Sequence, residues 1–144
     1  MAHHNRPAAW FWLAAVILVM WGMIGVFAFY SDVTMNDQAK AQLSDYDRAL
    51  MASRPSWFLW LYGVATWSAL LGAAALLARS RFARPIFIAS LIAVVVQFGY
   101  IFANTDLIAV KGFVAAAGFP ILIVIIATCQ IWLAGHAQSR GWIG

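Results

Sequence analysis

Four stretches of this chain are each long and apolar enough to cross a bilayer, and none of them contains a charged residue. They cover 9–30 (AWFWLAAVILVMWGMIGVFAFY), 57–78 (WFLWLYGVATWSALLGAAALLA), 85–104 (PIFIASLIAVVVQFGYIFAN) and 113–134 (FVAAAGFPILIVIIATCQIWLA). Crossing the hydrocarbon as a helix takes about 20 apolar residues. Polar breaks separate the runs: 31–56, RSRFAR at 79–84, and TDLIAVKG at 105–112. Only 10% of the 144 residues are charged, against about 25% in an ordinary soluble domain. So few charges do not cover a water-facing surface, and a mean hydropathy of +0.83 agrees. The expected fold is an all-α membrane protein, one polytopic domain with four transmembrane helices.

The first run exceeds the 7–15 residues of a signal-peptide core, and no A-x-A site follows it, so it reads as an uncleaved helix. Lys and Arg near span ends set orientation. Arg79, Arg81 and Arg84 crowd one short loop, while all five acidic residues, each an Asp, fall in the other two. The expected location is therefore a bacterial inner membrane, with both termini cytoplasmic. Trp10, Trp12, Trp132 and Trp142 are expected at the inner interface, and Tyr30, Trp57 and Trp60 at the outer one.

The outer segment 31–56 has an apolar stripe at Met35, Ala39, Leu43, Tyr46 and Leu50. Spacings of four and three predict an amphipathic helix over about 35–53, lying on the bundle. Thr34 followed by Asp37 resembles a helix start, and Pro55 should end the helix.

Composition excludes much chemistry. The net charge of +4 comes from a lack of acids. Its basic residues are scattered, which does not indicate a nucleic-acid partner. Ion and proton movers usually keep an ionisable residue within the membrane, and the four runs hold none. A single Cys cannot form a disulfide pair, and His3, His4 and His136 all lie outside the runs, where no haem or metal centre in the membrane could use them. No cofactor or metal site is expected, and no enzyme activity, since acid–base and nucleophilic groups are so sparse. If Met1 is removed, "AHH" leaves His4 at the third position, where a free amine, two amides and an imidazole bind Cu(II) in a square plane, although a disordered tail is the simpler reading.

What remains are neutral polar groups. In the third run Ser90, Gln97, Tyr100 and Asn104 recur at helical spacing and form one polar stripe. Ser and Thr can bond back to their own helix; Gln97 does this poorly and needs a partner. Three roles stay open for the stripe: glue between helices, a path for a solute or lipid, or a contact with another subunit. Gln130 lies in the fourth run, which is antiparallel to the third, so the two glutamines are expected at different depths. Ala65, Ala69 and Ala73 with Ser68 and Gly72 make a small-residue face of the kind that lets helix backbones approach. Pro120 removes a backbone donor in the fourth run and is expected to kink or loosen it.

An aromatic start, RPAAWFWLAAVILVMWGMIGV, leads to a polar segment and then to RPSWFLWLYGVATWSALLGAAALLARSRFARPIFIASLIAVVVQF. This pattern resembles a family of small four-helix inner-membrane proteins of proteobacteria, often labelled sugar transporters. The resemblance covers nearly the whole chain, rests on compositional motifs and implies no site residues. The expected function is a non-enzymatic accessory or assembly component of a larger membrane complex. The alternative is a small oligomeric transporter for a neutral solute such as a sugar. Expected partners are the lipid bilayer and either another protein or further copies of this chain.

Overall fold

The computed structural model describes residues 6–144. They form helices α1 (Ala9–Val33), α2 (Asp37–Ala41), α3 (Asp45–Ala52), α4 (Ser56–Leu77), α5 (Ala83–Asn104), α6 (Leu107–Lys111) and α7 (Phe113–Ser139). No strand occurs among the described residues. The four spans are α1, α4, α5 and α7, each long and apolar enough to cross a membrane. The first runs three residues further than its apolar stretch and the last five, because helix hydrogen bonding continues past the apolar boundary. Pro120 does not break α7, which continues on both sides of it with Pro120 buried.

The outer segment departs from expectation. It is two short helices rather than one of about four turns. Thr34 does not begin a helix: its backbone N–H and its Oγ1 both donate to the Tyr30 carbonyl, at 3.0 and 2.7 Å, and so close α1. The cap comes two residues later, where Asn36 accepts from the Ala39 N–H at 2.8 Å. Ser44 then takes an extended conformation and accepts from the Asp47 N–H at 3.1 Å. A residue that caps a new helix cannot also sit inside an old one, and this splits the stripe. The expected stop before Pro55 does occur, with α3 ending at Ala52.

Association of spans in a membrane relies on close packing and interhelical hydrogen bonds rather than on apolar burial. Both operate here. α4 lies between α1 and α5, and α7 packs on the far side of α5. Gly22 and Gly25 of α1 face Leu70 and Thr66 of α4, and Phe29 lies over Gly63. On the other face of α4, the small residues Ala65, Ala69, Gly72 and Ala73 are buried. Gly72 meets the Phe87 ring, and Ser90 Oγ donates to the Ala65 carbonyl at 2.8 Å. The small-residue face thus serves contacts within the chain.

At the end that carries both termini, Phe11, Leu76, Phe87, Leu133, Trp142 and Ile143 form the largest buried cluster. Trp142 is expected in an interfacial belt but is only 9% exposed. The turn after α7 folds it inward, against Trp10, Phe11 and His136. Arg79 holds this tail by donating from Nε to the Trp142 carbonyl at 2.7 Å, and its own carbonyl accepts from the Gly144 N–H at 3.1 Å. Arg79 has φ 57°, in the left-handed region, as Gly141 has at the matching turn of α7. An arginine there carries backbone strain that glycine does not, and the contacts to the tail offset it.

At the opposite end, α3 is tied across the bundle. Tyr46 Oη donates to Asp106 at 2.8 Å, and Lys111 pairs with Asp47 at 3.3 Å. Partial burial, then the hydrogen bond and charge of Asp106, push the Tyr46 hydroxyl above its ordinary pKa of 10. The folded state therefore holds this proton more tightly. The bond contributes fully below pH 10 and is lost as pH rises through the raised value. Tyr46→Phe removes it at neutral pH. Amide exchange in α3 is then expected to quicken roughly two- to tenfold, while the four spans exchange as before. Unchanged exchange in α3 would show that the tie does not hold this helix.

Candidate functional site

α1 and α7 are the two ends of the packing order, and along their length they do not pack closely on one another. They meet through rings. Trp10 lies 5.9 Å from His136 near the termini, and Trp21 lies 6.3 Å from Phe119 further along. Behind these contacts the four spans surround a cavity of about 370 Å³. Ile24 and Phe119 belong to its wall and are 62% and 61% exposed. The cavity therefore opens sideways, between α1 and α7, toward the space lipid tails occupy. The buried cluster at the termini closes its floor.

The wall is mostly apolar. Phe58 and Ala69 from α4, Val94 and Phe98 from α5, and Ile123 and Ala127 from α7 supply most of it. Five neutral polar side chains interrupt it: Tyr62, Thr66, Ser90, Gln97 and Gln130. Two of them are already committed. Thr66 Oγ1 donates to its own helix at Tyr62, 3.1 Å away, and Ser90 donates across to Ala65. Gln130 is different. It is 1% exposed, and its Nε2 has no hydrogen-bond partner. A buried donor left unmatched costs about 1–3 kcal/mol. Gln97 is 6% exposed, and among the described residues it too has no hydrogen-bond partner.

The predicted stripe is therefore divided. Ser90 and Gln97 reach the cavity, and Ser90 also bonds two helices together. Tyr100 and Asn104 are not in its wall. Tyr100 packs edge-on against Trp57 at 4.9 Å, and Asn104 is exposed and donates to the Tyr100 carbonyl at 3.0 Å. The rotation of α5 turns its last turn toward α3 and the outer segment. Gln130, expected at a different depth from Gln97, lines the same cavity.

Sequence reading missed one group altogether. Arg54 and Asp32 flank the polar segment, and there they form a two-pronged ion pair at 3.0 and 3.3 Å. Their side chains are only 18% and 15% exposed. Arg54 also lies over the Phe58 ring at 5.2 Å and reaches the cavity's end away from the termini. Its signal in sequence was slight: one Arg and one Asp, 22 residues apart, each next to a span.

Among the described residues no three of His, Cys, Asp or Glu come together. His3 and His4, with the copper-binding pattern expected there, lie outside the described residues. No family model matches the chain, and no curated protein and no solved structure is detectably similar to it.

Proposed function

We propose that this protein is a non-enzymatic binding component of a membrane, holding one small apolar or amphipathic molecule among its spans. The observation that carries this reading is the side-opening cavity. Its volume of about 370 Å³ falls within the roughly 300–1,000 Å³ of small-molecule sites, which are likewise apolar with few polar groups. It is too large for a single trapped water, whose share of liquid is about 30 Å³. The opening lies between α1 and α7, so a ligand enters from the bilayer rather than from water.

A sugar fits this wall less well. Its many hydroxyls need partners, and an unpaired buried hydroxyl costs several kcal/mol. The transporter reading suggested by the family resemblance thus has less support than a lipid-soluble ligand. A role as accessory subunit remains compatible with binding, with α2 and α3 as the surface outside the bilayer. The concentration of Arg79, Arg81, Arg84 and Arg140 at one end supports an orientation with both termini cytoplasmic, and a bacterial inner membrane is the proposed setting.

The test is a small-molecule inventory of the full-length protein, purified from its own membranes in mild detergent. One molecule per chain is expected to copurify. Ala127, 3% exposed in the wall, is then changed to phenylalanine to fill the cavity. The Ala127→Phe variant is expected to keep its helix content and lose the molecule. Equal retention by this variant would place the ligand elsewhere.

A further inference from the structure

Resting on the binding reading above, we infer that the cavity takes a neutral planar ring bearing carbonyl oxygens and no donor, a quinone in chemical class, with a carbonyl accepting from Gln130 Nε2. Three observations converge on this. First, the cavity wall has amide donors to spare. The hydroxyls of Thr66 and Ser90 donate to backbone carbonyls, whereas Gln130 Nε2 is buried without an acceptor. A ligand that brings acceptors satisfies it. One that brings only donors leaves Nε2 unmatched.

Second, charge is confined to one end. Among the described residues the wall's one charged side chain is Arg54, already paired with Asp32 through two hydrogen bonds. A charged ligand lying deeper would have no counter-ion in low dielectric. Gln130 sits deep in its span, about 26 Å along α7 from its start at 1.5 Å per residue. The group it reads must therefore be neutral.

Third, the wall favours a ring over a flexible chain. Trp21, Phe58, Phe98 and Phe119 all line the cavity. Aromatic side chains gain from offset or edge-on contact with another π-system, beyond the area they bury. Trp21 and Phe119 meet across the α1–α7 seam with ring centroids 6.3 Å apart, so the pair must swing apart to admit a ring, and an apolar tail then trails into lipid. Gln97 supplies a second amide in the same wall, and a quinone has a second carbonyl.

The test is calorimetric titration of the full-length protein in nanodiscs with three probes: a short-tailed benzoquinone, the alkylbenzene of the same tail, and a fatty-acid methyl ester. The quinone is expected to bind saturably, one per chain. Gln130→Leu, near in size and without the donor, is expected to weaken it about tenfold, the loss of one buried hydrogen bond, and to leave alkylbenzene binding unchanged. Circular dichroism confirms that the variant is folded. If it is not, Gln130→Met takes its place.

Equal quinone affinity with and without the Gln130 amide overturns the inference, and so does an ester that binds more tightly than the quinone. If quinone and alkylbenzene bind alike, the cavity reading stands and the carbonyl inference falls. If none of the probes binds, the cavity reading falls with it, and the partner of Gln130 is ordered water.

Discussion

Gly22→Val is expected to detach α1 from α4 and to lower stability by about 1–3 kcal/mol, the usual cost of overpacking. A Cβ at Gly22 would stand 2.7 Å from the Leu70 Cα and 3.0 Å from its nitrogen. Those are backbone atoms, which cannot rotate aside as a side chain does. The helices must separate, and among the spans α1 has its close packing on α4 alone. The separation therefore spreads to the lateral opening. Gly99 is the control: a Cβ there meets nothing within 4 Å, so Gly99→Ala is expected to be neutral or slightly stabilising. Reversible unfolding in mixed detergent micelles measures both. Equal stability of the Gly22→Val variant and the parent would mean that the α1–α4 seam is not close-packed.

The second large effect is expected at the end of the cavity away from the termini. Arg54→Ala leaves the Asp32 carboxylate mostly buried without its partner. Removing one member of a fully buried pair costs about 3–5 kcal/mol. Here the side chains keep 18% and 15% exposure, so water replaces part of the loss and about 1–3 kcal/mol is expected. The Phe58 ring also loses the guanidinium lying over it. Asp32→Ala alone is similarly costly, but the double variant should cost clearly less than the sum of the two. A double-mutant cycle of unfolding free energies reads this coupling directly. Additive losses would mean that the pair sets no geometry at that end.

Particular residues show where sequence reasoning reaches and where it stops. Pro55 separates α3 from α4 as expected, because its effect on the preceding residue is local. Ser44 broke the predicted amphipathic helix, since a serine's role as cap depends on whether the next turn finds something to pack against. Tyr46 found that support in Asp106, 60 residues away. Tyr100 and Asn104 share a helical stripe with Gln97, yet leave the cavity because the rotation of α5 there turns Ile101 toward it instead. Trp142 reads as an interfacial anchor by composition, and becomes a buried plug once Gly141 turns the tail inward. The glycines of α1 went unremarked, since a single glycine in an apolar run means little until a partner backbone is known to lie against it.

The sequence by itself determined the solvent, the number of spans, their bounds to within a few residues, and the lack of ionisable groups within the apolar runs. These follow from length and local hydropathy, for a backbone in hydrocarbon must satisfy its own hydrogen bonds and so forms helices wherever such a run occurs. Only the tertiary structure decided that α4 is central, that α1 and α7 part to leave a cavity, that Gln97 and Gln130 share its wall, and that Arg54 meets Asp32 at its end away from the termini. Those outcomes depend on the rotation of each helix about its axis. That rotation is set by which small residues meet across spans, and small residues recur on several faces of this chain.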